Sequence, residues 1–182
     1  FPKEVTHQMV TNVIKKGAAI NILSEVVGAE VVVVDMGVDA DLSDLVKNNS
    51  IISGKVDFGT KNMTNGPAMT REQAVKALEI GIGIAQKMIS ERGANLLATG
   101  DMGIGNTTPS SAILSVMAGI SVEEATGRGT GINDEILELK IKTIKKAIEV
   151  NKPNSNDPID VLSKVGGFEI AGIAGLILGA AY

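Results

Sequence analysis

The chain has 182 residues, 44% of them apolar but only 2% aromatic, and a formal net charge of −4. That length suffices for one α/β domain over residues 1–182, with a core of Val, Ile, Leu, Ala and Met. The acidic balance argues against a nucleic-acid partner, the lack of cysteine excludes disulfides and thiolate metal sites, and a single histidine, His7, argues against a histidine-built metal site or triad.

No apolar run reaches the roughly 18 residues of a membrane span, and no signal peptide is visible. The expectation is a cytoplasmic protein without a membrane partner. Pro2 to Val27 reads as helical, interrupted at Gly17, with Val5, Met9 and Val13 on one face and Ile20, Leu23 and Val27 continuing it. Glu30 to Asp35 reads as a buried strand ending in a carboxylate. Ligands sit beyond the carboxyl ends of parallel strands, but an aspartate there also commonly opens a turn. Asp39 to Asn49 is loop-like with room for one helical turn, Ile51 to Phe58 holds a second short strand, and Gly59 to Met69 is a loop without a core pattern.

Thr70-x-x-Gln73 is a capping box that starts a helix to about Arg92, with Ala74, Leu78, Ile82, Ala85 and Ile89 as its buried face. Ala94 to Ala98 reads as a buried strand. Ser121-x-x-Glu124 is a second capping box, and Gly127 to Gly131 is a Gly-rich loop that serves either as a backbone approach to a ligand or as a plain connector. A helix follows from Asp134 to Val150 with the stripe Leu137, Ile141, Ile144 and Ile148. Lys140 lies on the edge of that stripe and is the lysine best placed to reach inward, or else to snorkel. Asn151 to Asp157 is a turn, Pro158 to Val165 a short helix, and Gly166-Gly167-Phe168-Glu169 opens a last helix with many small residues. Alternation of strands and helices predicts a three-layer, Rossmann-like, mostly parallel sheet with helices on both faces.

One stretch organises this pattern: Gly100-Asp101-Met102-Gly103-Ile104-Gly105-Asn106-Thr107-Thr108-Pro109-Ser110-Ser111. It runs from strand through glycine-rich turn into helix, with Pro109 expected at the first helical position and Thr108 as N-cap. Free N–H groups and the helix dipole make such a place either an anion cradle or a tight structural turn. It is neither a Walker loop nor the dinucleotide fingerprint.

The stretch resembles the signature loop of nicotinate-nucleotide–dimethylbenzimidazole phosphoribosyltransferases. The similarity extends to Asp35-Met36-Gly37-Val38, Gly66-Pro67-Ala68-Met69-Thr70, Asn151-Lys152-Pro153-Asn154 and Asp160 to Phe168. It implies transfer of the phosphoribosyl group of nicotinate mononucleotide to 5,6-dimethylbenzimidazole or a similar base, giving α-ribazole 5′-phosphate and nicotinate in cobalamin lower-ligand synthesis. The ring departs neutral, so the resemblance implies no cofactor and no metal. It also implies a homodimer. Since family members are longer, this chain is expected to be their central part and inactive alone.

By the resemblance, Gly103, Gly105, Asn106, Thr107 and Lys140 hold the nucleotide, and Met102 touches the base. Asp101, where known relatives carry glutamate, and Lys140 support the chemistry. Gly129, Glu169 and Met9 join as candidate lining residues. The family's general-base glutamate lies in a Gly-Glu-Gly motif that this chain does not contain. The alternatives are a non-catalytic nucleotide-binding module, or a split-enzyme half acting on another base or a phenol.

Overall fold

The structure is a computed structural model that describes residues 2–129 and 131–182. The chain divides into two compact units, Phe1–Gly59 and Thr60–Tyr182.

In the first unit, α1 (Glu4–Ile14) and α2 (Ala19–Val27) are separated at Gly17, as the sequence predicts. Asn21 fixes the join: its Oδ1 accepts the Ala18 N–H at 3.1 Å and its Nδ2 donates to the Val13 carbonyl at 3.0 Å. Met9 is half-buried on α1, and His7 is exposed. The face of α2 does not continue inward: Ile20, Leu23 and Val27 are all exposed. In so short a helix the periodic pattern names a stripe but not the partner that covers it.

The expected strands Glu30–Asp35 and Ile51–Phe58 shrink to β1 (Val34–Asp35) and β2 (Ile52–Ser53), paired in parallel with Val34 opposite Ile52. Between them lies α3 (Ser43–Lys47), the one helical turn expected there. Asp35 is buried and opens a turn, its Oδ1 accepting the N–H groups of Gly37 at 3.1 Å and Val38 at 2.9 Å. The Lys55 ammonium lies 3.1 Å from Asp35 Oδ2, bonds the Val38 and Ala40 carbonyls and sits 4.4 Å above the Phe58 ring. Asp35 is thereby committed to a local tie.

The second unit is helical among its described residues: α4 (Arg71–Arg92), α5 (Thr107–Ala118), α6 (Val122–Ala125), α7 (Asp134–Asn151), α8 (Pro158–Val165) and α9 (Phe168–Ala181). Both halves of the Thr70–Gln73 box form: the Gln73 N–H donates to Thr70 Oγ1 at 3.1 Å, and the Thr70 N–H donates to Gln73 Oε1 at 2.9 Å. Ser121 caps α6 through the Glu124 N–H at 3.2 Å. The core joins Ala112, Val122, Ile144, Ala147, Val161 and Val165.

Three expectations fail here for separate reasons. Ala94 to Ala98 forms no strand, and Leu96 is 87% exposed. A strand needs a neighbour to take its N–H and C=O groups, and no ladder reaches this run among the described residues. The loop ending at Met69 does carry core: Ala68 and Met69 are buried, and their N–H groups donate to the Lys164 and Ser163 carbonyls at 3.1 and 2.9 Å. Two adjacent residues have no period to betray them. Finally, the buried face of α4 keeps the expected Ala74 and Ala85 but is completed by Ala77, Gly81, Ile84 and Met88, while Leu78 and Ile82 are half-buried and Ile89 is exposed.

That last shift has a cause in α9. The two helices approach so closely that a Cβ at Gly81 would lie 2.0 Å from the Gly172 carbonyl oxygen, and one at Gly175 would lie 2.0 Å from that of Leu78. Backbone rather than side chain fills both gaps, so neither can yield without moving a helix. Gly81→Ala and Gly175→Ala should each cost about 2–3 kcal/mol, the upper range for overpacking. Gly83→Ala, with nothing within 4 Å of its added methyl group, should stabilise by about 0.5–1 kcal/mol. Urea denaturation of the three variants checks the contrast.

Candidate functional site

The glycine-rich stretch ends in α5, which starts two residues earlier than the proline rule predicts. Asn106 is the residue before the helix, and Pro109 lies inside its first turn. The displacement costs little, because every N–H of the first turn lacks a helical partner and a missing one there leaves nothing unpaired. Thr108 is therefore a helical residue rather than the cap. The start of α5 has no side-chain cap at all. Gly105 precedes it at φ +86°, a conformation suited to glycine.

Lys140 comes to this start from α7. Its Nζ donates to Thr107 Oγ1 at 2.8 Å and to the Gly127 carbonyl at 3.1 Å. Of the two readings the stripe leaves open for Lys140, the contacts are those of a lysine that reaches inward, to the glycine-rich stretch. Burial pushes its ammonium below the ordinary lysine range. Gly129 packs over the pair at φ +60°, where a Cβ would sit 2.9 Å from Thr107 Oγ1 and 3.6 Å from Lys140 Nζ. Gly127 and Gly129 thus wall this corner; Thr130 of the same loop lies outside the described residues. Arg128 steadies the loop, donating to the Ile132 carbonyl at 3.0 Å and pairing with Asp134. Asn133 caps α7 through the Ile136 N–H at 3.0 Å.

Asp101 is exposed on the loop and accepts a hydrogen bond from Asn106 Nδ2. Met102 is half-buried, its carbonyl accepting the Ile104 N–H at 2.6 Å, and Gly103 is exposed. Glu169, on the first turn of α9, folds back over Gly167, where a Cβ would lie 2.4 Å from its Oε1. Burial pushes the Glu169 carboxyl up and the charge of Asp101 adds to the shift, while its own backbone N–H opposes it. Sequence reasoning had no signal for the Asn106–Asp101 bond or for this fold-back. Both depend on side-chain directions that spacing does not encode.

Met9 belongs to the first unit. Among the described residues, no three acidic or histidine side chains gather to hold a metal ion, and no helix is long and apolar enough to cross a membrane. What the corner offers is a positive one: an ammonium, an uncapped helix start and glycine backbone open to a ligand. That combination suits a phosphate or another anion.

Glu169 also makes a stability prediction. Its folded-state affinity for a proton exceeds that of the unfolded chain, so its contribution is complete below the ordinary glutamate range and is lost as pH rises through the raised value. Glu169→Gln should therefore be more stable relative to the parent at neutral pH than in mild acid. Denaturation midpoints measured from about pH 4 to about pH 7 should converge toward the acid end.

A family model described as "Phosphoribosyltransferase" matches residues 1–182. The chain is 56% identical over 181 residues to the nicotinate-nucleotide–dimethylbenzimidazole phosphoribosyltransferase of Desulfotalea psychrophila, covering 100% of the chain and 50% of that relative. It is 55% identical, with the same coverage, to the protein of that name from Geotalea uraniireducens. The crystal structure of CobT from Thermus thermophilus is similar at a TM-score of 0.91 and 41% identity, over 100% of the chain and 53% of that structure. The chain spans about half the length of the curated relatives it matches.

Proposed function

The chain belongs to the phosphoribosyltransferase family whose pattern it matches over residues 1–182, and from that premise we propose that the full-length protein moves the phosphoribosyl group of nicotinate mononucleotide onto 5,6-dimethylbenzimidazole or a related base. The observation that carries this reading is the Lys140 ammonium held at the uncapped start of α5. A nitrogen of the incoming base attacks the anomeric carbon, the bond to nicotinate breaks, and α-ribazole 5′-phosphate and nicotinate leave as products. The proton of the attacking base is lost as the new bond forms. The chemistry asks for orientation of two flat partners about one ribose and for negative charge beside a carbon that becomes cationic.

On this reading Gly103, Gly105, Thr107, Gly129 and Lys140 hold the nucleotide, with the ammonium as a compact charge for its phosphate. Asp101 faces the developing positive charge, Met102 contacts the base, and Glu169 lines the nucleotide side behind Asp101. Residues 1–182 are one α/β domain within the longer enzyme, whose wider fold is Rossmann-like; the parallel pairing of β1 with β2 supports this. The working protein is read as a cytoplasmic homodimer that uses no cofactor.

The direct test follows release of nicotinate by the full-length protein with and without dimethylbenzimidazole; release independent of the base would reject the transfer. Lys140→Ala should weaken nicotinate mononucleotide by about 1.5–3 kcal/mol, the range for one charge-assisted contact, and leave base affinity nearly unchanged. Calorimetry with each substrate separately reads both numbers, and an unaltered nucleotide affinity takes Lys140 out of the site.

A further inference from the structure

An asparagine immediately before a helix ordinarily turns its side-chain oxygen back to accept an N–H of the first turn. Asn106 stands in that place and does otherwise. The start of α5 is left without a side-chain cap, and the amide of Asn106 donates instead to the carboxylate of Asp101. The base of the side chain is well anchored. Asn106 is buried, and its carbonyl accepts both the Ser110 N–H at 3.0 Å and the Ser110 hydroxyl at 2.9 Å. Its partner is the opposite in every respect. Asp101 is exposed and rides on a segment with glycine at positions 100, 103 and 105.

Glycine on both sides leaves the Asp101 backbone with more accessible conformations than other residues would. A carboxylate that stabilises a transient cation helps only if it points correctly before the charge appears. Something fixed must therefore hold it, and the described contact that does so is the Asn106 amide. The helix gives up its own cap to provide this contact.

We propose that Asn106 is a positioning residue for phosphoribosyl transfer, acting through the Asp101 carboxylate rather than on the nucleotide itself. This rests on the reading that Asp101 works on the nucleotide.

A double-mutant cycle in the full-length enzyme tests it, using Asp101→Asn, Asn106→Ala and the pair. Asn106→Ala should lower kcat about 10–100-fold, the range for a hydrogen bond to a charged group, and leave the KM for nicotinate mononucleotide within about twofold. In the Asp101→Asn background the same change should cost nothing further, because its only route is already closed. Losses that multiply, or a raised nucleotide KM with kcat kept, overturn the proposal while leaving Asp101 in the reaction. A silent Asp101→Asn removes Asp101 from the chemistry and the proposal with it, a separate failure. If the Ala variant does not fold, Asn106→Ser gives the same cycle, since serine can cap α5 but is too short to reproduce the amide contact.

Discussion

The ammonium of Lys140 joins parts of the second unit that lie 33 and 13 residues away in sequence. It ties α7 to the first residue of α5 and to the loop that precedes α7. The apolar core below makes this possible. Ile144 and Ala147 of α7 pack against Ala112 of α5, which sets the two helices near enough for a lysine side chain to cross. Core and polar tie depend on one spacing. Lys140 is one turn before Ile144 on the same helix side, so the helix that buries its isoleucine necessarily delivers its lysine. Bonds of this charge-assisted kind are worth about 1.5–3 kcal/mol, enough to offset a modest loss of hydration.

The packing of α4 on α9 works by a different principle and serves the same end. Gly81, Gly175 and Gly179 let backbone meet backbone, so the position of α9 is set by steric contact and not by adaptable side chains. Its first turn carries Glu169, whose carboxyl is close enough to Asp101 to feel its charge. Rigid helix contact therefore determines the surroundings of an exposed loop acid. Asn151 adds another fixed point, its Nδ2 donating to the Met63 carbonyl at 2.7 Å and to that of Ala147 at 2.8 Å, so the end of α7 also holds the loop before α4.

Several features that depend on near neighbours are legible in the sequence, although the Thr108–Pro109 start expected for α5 is not among them. Thr70 with Gln73, Ser121 with Glu124 and Pro158 at the start of α8 mark helix ends by local hydrogen bonding, and the structure has them where the residues indicate. The stripe marks Lys140 as the lysine best placed to reach inward but leaves snorkelling equally open, and it is the resemblance that points to the inward reach. Features that depend on a partner were not legible. The strand expected at Ala94 to Ala98 rests on apolarity alone, which a run of residues shows whether or not a neighbour pairs with it. The face expected for α4 mixes small and large residues; Ala74 and Ala85 are buried as expected, whereas Ile89 is exposed. Close helix approach selects small ones, and only the partner reveals that Gly81 rather than Ile89 faces inward. The amide of Asn106 escaped for a similar reason, since an asparagine before a helix predicts a cap and its diversion to Asp101 is a tertiary event.

Lys140 stands in the corner without a carboxylate partner among the described residues. Its contacts are a hydroxyl and a carbonyl, which orient the ammonium but do not neutralise it. Burial consequently lowers its affinity for a proton. An internal acid would cancel that cost and would also occupy the place an anion needs. Leaving the charge unmatched makes the protein less comfortable with its own lysine and more receptive to a phosphate. The two effects are linked: an anion that binds beside Lys140 must raise its proton affinity by the same free energy that the proton adds to anion binding. Gly129 maintains the condition, because any side chain there would press on Thr107 and loosen the hydroxyl from the ammonium. The helix start contributes its dipole to the same positive corner, and its lack of a cap means that no side-chain oxygen competes for it.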